Sequence, residues 1–289
     1  MDPIIFLDLA NELTQLKMYP YFDVAHFIVT GLYLRDDLST GCHVFSRKHP
    51  FACWISFMLS AFAGNILSAF LLGEPIVSAF KSTNHVILAT AVWLVWYIIF
   101  YSPFDFVYKL IKFLPCKLAI IIMKEIIRCK KINDGVNHAA SLYPNSYIIM
   151  IIIGTVKGNG SSFSKLLERC IRGVWTPTAV EFMSPSFATK ASICASAIFI
   201  LDKKTDLISA PHSLVYLGVV IFFIYFKLSS VLLGIHDPFL PFENLFCALC
   251  FGGIWDSLSD FLTSKNSSEN GTIKADLSKN GKAEIRKKD

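Results

Sequence analysis

The amino-acid sequence predicts an all-α, polytopic membrane protein with seven transmembrane helices. Its 289 residues are 54% hydrophobic and only 17% charged, and the mean hydropathy is +0.52. Soluble domains are roughly 45–50% apolar and about 25% charged, so a single soluble core could not absorb this excess. A bilayer can, because a transmembrane helix satisfies its own backbone hydrogen bonds and exposes apolar side chains to lipid.

The predicted helices follow from apolar stretches of the length that a membrane span requires, about 20 residues. Four such stretches carry no Asp, Glu, Lys or Arg: 51–73, 82–104, 135–156 and 207–226. Three further apolar segments are interrupted by polar or basic residues: 23–35, 113–132 and 187–201. Together these segments predict seven helices, near 21–37, 50–73, 84–103, 114–134, 146–170, 186–201 and 211–233.

Lysine and arginine in the short loops set the predicted orientation, because basic loops stay on the cytosolic side. The basic residues after the first, third and fifth helices share one side only if the odd-numbered helices run from the lumenal to the cytosolic side. The N-terminus is then lumenal and the C-terminus cytosolic. We assign residues 1–258 to a transmembrane domain and 259–289 to a disordered basic cytosolic tail. Its end, Arg286–Asp289, is either a dibasic retrieval signal of the endoplasmic reticulum or an ordinary solvated tail.

Glycine-asparagine steps occur inside two of the predicted helices. Gly64-Asn65 lies in the second helix and Gly158-Asn159-Gly160 in the fifth, and each is followed by a Leu-Leu pair and then by a Gly and a Pro. Glycine loosens a helix and lets backbones approach closely. These five residues are therefore candidates for a pore or a hinge, and close helix packing by small residues is the alternative.

The matched placement of these steps predicts an inverted repeat of three helices. The second and fifth helices are corresponding members of two three-helix units, and a shift of three helices reverses the direction of insertion. The repeats would comprise residues of about 20–104 and 105–201, followed by a seventh helix at about 211–233. Channels and transporters built in this way place their sites at broken helices near the bilayer midplane.

Basic residues inside the fourth predicted helix form a candidate anion site. There are four such residues: Lys117, Lys124, Arg128 and Lys131. They are separated by seven, four and three residues, and these spacings place them on one helical face. Lys124 with Arg128 suits phosphate oxygens, since arginine offers a planar fork and lysine a point charge. Lys117 and Lys131 are further candidates. A phosphoinositide headgroup is the expected anion, and extension of these long side chains to the membrane interface is the alternative.

Lys157 lies beside the glycines of the fifth predicted helix. A charge at bilayer depth is unfavourable and by default faces the protein interior or water. We therefore interpret Lys157 as a pore-lining or gating charge, with placement at the interface as the alternative. An uncompensated lysine would repel cations, so this residue either marks a gate or has a carboxylate nearby.

The remaining patterns argue against an enzyme and against a nucleic-acid-binding protein. The seven histidines are scattered without metal-ligand spacing, and no P-loop or nucleophile elbow is present in the sequence. The formal net charge of +5 comes from local clusters rather than from a basic domain. The residue patterns leave two functions open, an ion channel and an ion-coupled secondary transporter.

Several segments resemble the eukaryotic trimeric intracellular cation (TRIC) channels, and the B type in particular. They are spread from about residue 20 to about residue 200: FDVAHFIV (22–29), SRKHPFACW (46–54), LLGEP (71–75), SPFDFVYK (102–109), FLPCKLAIIIMKEIIRCKKINDGVNHA (113–139), VKGNG (156–160), RGVW (172–175) and SFATKAS (186–192). The run KE-x-x-R-x-x-KI-x-x-GV within 113–139 is specific to that family.

The resemblance implies a homotrimer of the endoplasmic or sarcoplasmic reticulum, or of the nuclear envelope, with one pore inside each protomer. It implies conduction of potassium, with some sodium, as a counter-current that balances calcium release. Lys124 and Arg128 match the family's contacts to phosphatidylinositol 4,5-bisphosphate, and no other cofactor is implied. The glycines match the family's kinked second and fifth helices, although Gly64-Asn65 stands where some relatives have paired glycines.

Overall fold

The structure is a computed structural model that describes residues 3–38, 42–100, 105–175, 181, 184–205, 207–234 and 237–251. Within these ranges every regular element is helical, which confirms the predicted all-α class. The α-helices are α1 (Pro3–Gln15), α2 (Tyr21–Leu38), α3 (Cys42–Lys48), α4 (Pro50–Leu72), α5 (Thr83–Phe100), α6 (Phe106–Lys112), α7 (Leu114–Leu142), α8 (Tyr147–Phe163), α9 (Lys165–Ile171), α10 (Phe187–Lys204), α11 (His212–Leu233) and α12 (Leu240–Cys250). The predicted tail, 259–289, lies outside the described residues.

Each of the seven predicted spans contains a long helix: α2, α4, α5, α7, α8, α10 and α11. Among the described helices, α4 and α11 are long and apolar enough to cross a membrane on composition alone. The others are shorter or carry polar and charged side chains. Such side chains are tolerated at bilayer depth where they face the interior of a bundle.

Two helices differ from the prediction. The fourth, α7, continues through Gly135 to Leu142 instead of ending near 134, because one internal glycine weakens a helix without stopping it. It ends before Pro144, which disfavours helical geometry in the residue that precedes it. The fifth span is divided, since α8 ends at Phe163 and α9 starts at Lys165.

The described part of residues 1–237 forms one compact unit around α7. Helix α7 packs against α2, α8, α10 and α11, and α8 also packs against α4 and α10. A cluster built on Phe27, Phe57 and Phe62 fills the space between α2, α4 and α5. Phe199 of α10 and Tyr216 of α11 are fully buried against each other, and both helices also pack on α7. Helix α12 belongs to a second unit, 238–289.

Candidate ion pathway and anion site

The two glycine segments predicted from the sequence meet where α4 packs against α8. A Cβ atom built on Gly64 would lie 2.5 Å from the carbonyl oxygen of Lys157. A Cβ atom built on Gly160 would overlap the backbone of Gly64. Glycine, which has no Cβ, permits such an approach of two helix backbones. The predicted repeats are therefore in backbone contact at their glycine steps.

Gly158 faces a different helix. A Cβ atom on this residue would overlap the side chain of Ile132 in α7. One turn earlier in α8, Gly154 lies against Gly135 of α7. A Cβ atom built on Gly135 would lie 3.0 Å from the Cα atom of Gly154. Gly158 thus contributes to close packing of α7 on α8, which was the alternative to a pore or hinge role.

Asn159 interrupts the α8 helix. Its backbone has φ −129° and ψ 26°, outside helical geometry, while the helix continues on both sides. The side chain is buried, and its Nδ2 donates a hydrogen bond of 2.6 Å to the Thr189 Oγ1 of α10. Its Oδ1 accepts a hydrogen bond of 3.2 Å from the Ser162 hydroxyl. The break in α8 is therefore held by side-chain hydrogen bonds within the protein.

Helix α4 runs unbroken through Gly64 and Asn65. The kink that the resemblance implied for the second helix is thus not accompanied by a break in the helix. Asn65 and Asn159 differ in their surroundings: among the described residues, the Asn65 side chain has no hydrogen bond like the one between Asn159 and Thr189. In this chain, the helix is broken at the step whose asparagine bonds to a neighbouring helix and continues through the other step.

A cavity of about 620 Å³ lies at one end of the bundle, where α2, α8 and α11 end and α10 begins. The lining combines hydroxyl, amide and charged side chains: Thr30, Tyr33, Leu34, Asp36, Asp37, Ser60, Lys124, Arg128, Asn159, Ser161, Ser162, Lys165, Glu168, Ser186, Phe187, Ala188, Lys227 and Ser230. The broken step of α8 and the predicted anion-binding residues Lys124 and Arg128 thus line the same space. That these two candidate sites are adjacent could not be predicted from the sequence.

Four basic side chains line this cavity: Lys124, Arg128, Lys165 and Lys227. Lys124 is 8% exposed, and its Nζ lies 4.3 Å from the centroid of the Tyr33 ring, a cation–π contact. Arg128 donates a hydrogen bond to the buried carboxylate of Glu125, and Lys165 is 3.4 Å from Asp37. Among the described residues, Lys124 and Lys227 form no ion pair. These four outnumber the three acidic side chains of the lining, Asp36, Asp37 and Glu168, so the lining carries a small excess of positive charge.

The other two basic candidates of α7 are not part of the cavity lining. Lys117 is half-buried near the start of α7. Lys131 places its Nζ 3.1 Å from the Nε2 of His26 in α2, and the same ring nitrogen lies 3.1 Å from the carbonyl oxygen of Ala61. The spacing of the four basic residues predicted a common helical face, but only its central pair reaches the cavity.

Lys157 is half-buried on α8, on the side of the break that leads to the opposite end of the bundle. Two carboxylates act electrostatically on its ammonium group, Asp134 and Glu74. The Glu74 carboxylate is also paired with His138, at 2.7 Å between Oε1 and Nε2. Of the two expectations for this lysine, a gate or a nearby carboxylate, the second agrees with the position of Asp134 and Glu74.

Sequence reasoning missed Lys227, although a signal was available. Helix α11 contains a single residue of the four charged types Asp, Glu, Lys and Arg, and that residue is Lys227. An isolated charge in an otherwise apolar span marks a functional position by default. The structure places it in the cavity with Lys124, and the two charges act on each other electrostatically.

The last turn of α2 was also missed, because its partners are distant in sequence. Arg35 lies 3.0 Å from Asp105, at the start of α6. Asp36 accepts a hydrogen bond of 2.6 Å from the Tyr108 hydroxyl and lies 2.9 Å from Lys112. Burial raises the pKa of the Tyr108 hydroxyl, and the hydrogen bond to Asp36 adds to the rise.

Asp37, the next residue, holds α9 at the mouth of the cavity. Its carboxylate oxygens lie 2.5 Å from Arg169 and 2.6 Å from Arg172, and Lys165 is 3.4 Å away. Arg172 is also bound by Glu168, one turn earlier in α9. Because α9 follows the break in α8, this cluster fixes the position of the chain immediately beyond that break.

Known proteins share this architecture. A family model described as TRIC channel matches residues 39–234. The chain is 49% identical to the trimeric intracellular cation channel type 1B.1 of Caenorhabditis elegans over 280 residues, which covers 94% of each protein. It is 39% identical over 248 residues to the type A channel of Gallus gallus, covering 86% of this chain and 82% of that protein.

Solved structures agree with these matches. A C. elegans trimeric intracellular cation channel without Ca²⁺ superimposes with a TM-score of 0.75 at 48% identity, over 82% of this chain and 100% of that one. The chain belongs to the TRIC channel family. A further TRIC structure, described as a counter-ion channel in calcium release, has a TM-score of 0.72 at 32% identity and covers 78% of this chain and 99% of that one. This TRIC protein is therefore a polytopic membrane channel and not an enzyme, and it belongs to a trimeric family.

We expect Asp37→Asn to destabilise this TRIC channel by about 1.5–3 kcal/mol, the usual size of a hydrogen bond to a charged group. The substitution removes the negative charge shared by three basic residues, and Arg172, whose side chain is 1% exposed, then keeps one carboxylate partner among the described residues, Glu168. The measurement is the melting temperature of the purified protein in detergent, followed by size-exclusion chromatography.

Asp36→Asn is the matched control, because it changes the neighbouring residue in the same turn. The Asp36 and Lys112 side chains are each 42% exposed, and exposed ion pairs contribute about 0–1 kcal/mol. Equal melting temperatures for the two variants would show that the Asp37 cluster does not hold α9.

Proposed function

We propose that this TRIC channel conducts potassium, with some sodium, across the endoplasmic or sarcoplasmic reticulum membrane, or the nuclear envelope, as a counter-current to calcium release. The observation that carries the proposal is the cavity, which lies within one chain and reaches the broken step at Asn159. The description of a related structure as a counter-ion channel in calcium release supports the physiological role. Each protomer of the homotrimer would then contain its own pathway.

Neutral oxygen atoms along the cavity support conduction of a monovalent cation. The hydroxyl groups of Thr30, Ser60, Ser161 and Ser162 line it on three sides, from α2, α4 and α8. Such oxygens can replace part of the hydration shell of potassium or sodium without binding the ion too tightly to release it. Asn159, where α8 is broken, is part of the same lining.

Positive charge in the same cavity requires a counter-charge before cations can pass. Lys124 and Lys227, which form no ion pair among the described residues, would otherwise repel potassium, because like charges interact strongly at the low dielectric constant of the interior. A phosphate-bearing headgroup at these residues would neutralise them, and the fork of Arg128 with the point charges of two lysines suits its oxygens. We propose that phosphatidylinositol 4,5-bisphosphate binds here and regulates conduction.

The orientation proposed from the basic loops agrees with this assignment. With odd-numbered spans running from the lumen to the cytosol, the N-terminus is lumenal, the C-terminus is cytosolic and the cavity opens on the cytosolic side. Phosphoinositides act in the cytosolic leaflet, where basic pockets between helices bind their headgroups. The opposite end, with Glu74 and His138, would face the lumen.

The test is a planar-bilayer recording of the purified protein, with and without phosphatidylinositol 4,5-bisphosphate, in a potassium chloride gradient. We expect single-channel steps that reverse near the potassium potential and a higher open probability with the lipid. The absence of steps over a range of voltages and lipids would overturn the channel proposal. Saturable flux coupled to a sodium or proton gradient would instead favour the secondary transporter.

A further inference from the structure

Helix α12 has several large apolar side chains that are exposed. Phe242 is 72% exposed and Leu249 is 59% exposed, and Leu245 and Phe246 between them are also exposed. Within Leu240–Cys250 the one charged residue is Glu243. A soluble surface rarely carries such a continuous apolar patch, so it indicates a partner or a membrane.

Apart from Leu240 at its first position, which lies among the polar residues, α12 separates its large apolar side chains from its polar ones by the helical period. At 100° per residue, Phe242, Leu245, Phe246 and Leu249 share one stripe. On the opposite side, Glu243 and Asn244 flank Cys247. A short helix with an apolar stripe and a polar strip is typical of segments that lie in the plane of a membrane interface.

Helix length and chain connectivity identify the bilayer as the surface that covers the stripe. At a rise of 1.5 Å per residue, the 11 residues of α12 measure about 16 Å, too short for a hydrocarbon core of about 30 Å. The preceding span, α11, ends at Leu233, and six residue steps from Gly234 to Leu240 extend at most about 20 Å. The start of α12 is therefore tethered close to the membrane in which α11 is embedded.

We propose that α12 is an interfacial helix whose apolar stripe lies in the headgroup–acyl boundary of the bilayer, parallel to its plane. Glu243, Asn244 and Cys247 then face water. The helix anchors the chain after the last transmembrane span at the membrane surface. This anchoring is independent of ion conduction and of headgroup binding in the cavity.

Site-directed fluorescence in liposomes tests the proposal on the full-length chain. Two single-cysteine variants are made. In the first, every cysteine except Cys247 is replaced by alanine; in the second, all eight cysteines are replaced by alanine and Leu249→Cys is added. Each is labelled with an environment-sensitive maleimide dye and reconstituted in phosphatidylcholine, with or without acyl-chain-brominated lipid. We expect several-fold stronger quenching by brominated lipid at 249 than at 247, and the reverse order with aqueous iodide.

Phe242→Cys and Asn244→Cys repeat the comparison on the two sides of α12, so a failure of one variant to express does not end the test. Equal iodide quenching at all four positions would place the helix in water and overturn the proposal. A dye at 249 that neither quencher reaches would also overturn it, because the stripe would then be covered by protein, such as a second copy of the chain.

Discussion

Combining Lys124→Ala with Arg128→Ala is expected to lower the affinity for phosphatidylinositol 4,5-bisphosphate by about 100-fold or more. Each side chain would lose a charge-assisted contact of about 1.5–3 kcal/mol, and every 1.4 kcal/mol is a factor of ten in affinity. Both side chains line the cavity and are nearly buried, so bulk solvent screens them little. The measurement is binding of a fluorescent phosphoinositide to the protein in nanodiscs.

Two single variants locate the effect within the molecule. Lys227→Gln removes one cavity lysine from a different helix, and we expect a smaller loss, of about tenfold. Lys117→Ala removes a basic residue of α7 outside the cavity, and we expect a change of less than about twofold. If the double variant bound the lipid as tightly as the wild type, Lys124 and Arg128 would instead be residues that extend to the membrane interface.

Gly160→Ala is expected to destabilise the bundle by about 3 kcal/mol and to abolish current. The added methyl group would overlap the backbone of Gly64, and neither helix backbone can move aside as a flexible side chain could. The α4–α8 crossing would have to open, which would displace Asn159 and the polar surface of the cavity. The measurements are the melting temperature in detergent and the planar-bilayer current.

Gly218→Ala is the matched control, because it adds the same methyl group to the interior of a long helix. An added Cβ atom on Gly218 of α11 meets no atom within 4 Å. A compatible glycine-to-alanine change stabilises a protein by about 0.4–1 kcal/mol, chiefly through the unfolded chain. If Gly160→Ala were as stable as Gly218→Ala, the close approach of α4 and α8 would not be a requirement of the fold.

The sequence predicted what depends on local composition. The seven spans follow from apolar length, and the break in α8 falls within the glycine-asparagine segment that was singled out. The extension of α7 to Leu142 was missed, because Gly135 and the polar residues after it resemble the end of a helix. The short helices α1, α3, α6 and α12 were missed as well, since each is too short to form a span.

Contacts between distant residues could not be predicted. Nothing in the sequence near Asp37 indicates that its partners lie more than 120 residues away, in α9 and at its end. Likewise, the spacing of basic residues in α7 identified Lys124 and Arg128, but only the packing of α11 shows that Lys227 completes the group. Charges on one helix face are visible in a sequence, whereas a cavity shared by several helices depends on how they pack.

The contact between Gly64 and Gly160 also bears on the origin of the fold. If the inverted repeat arose from a dimer of identical three-helix proteins, this crossing was once a symmetric interface, in which one substitution altered both sides. Fusion of the two copies into one chain removed that constraint. The present asymmetry, an unbroken α4 beside an α8 interrupted at Asn159, is a shape that no strictly symmetric ancestor could have had.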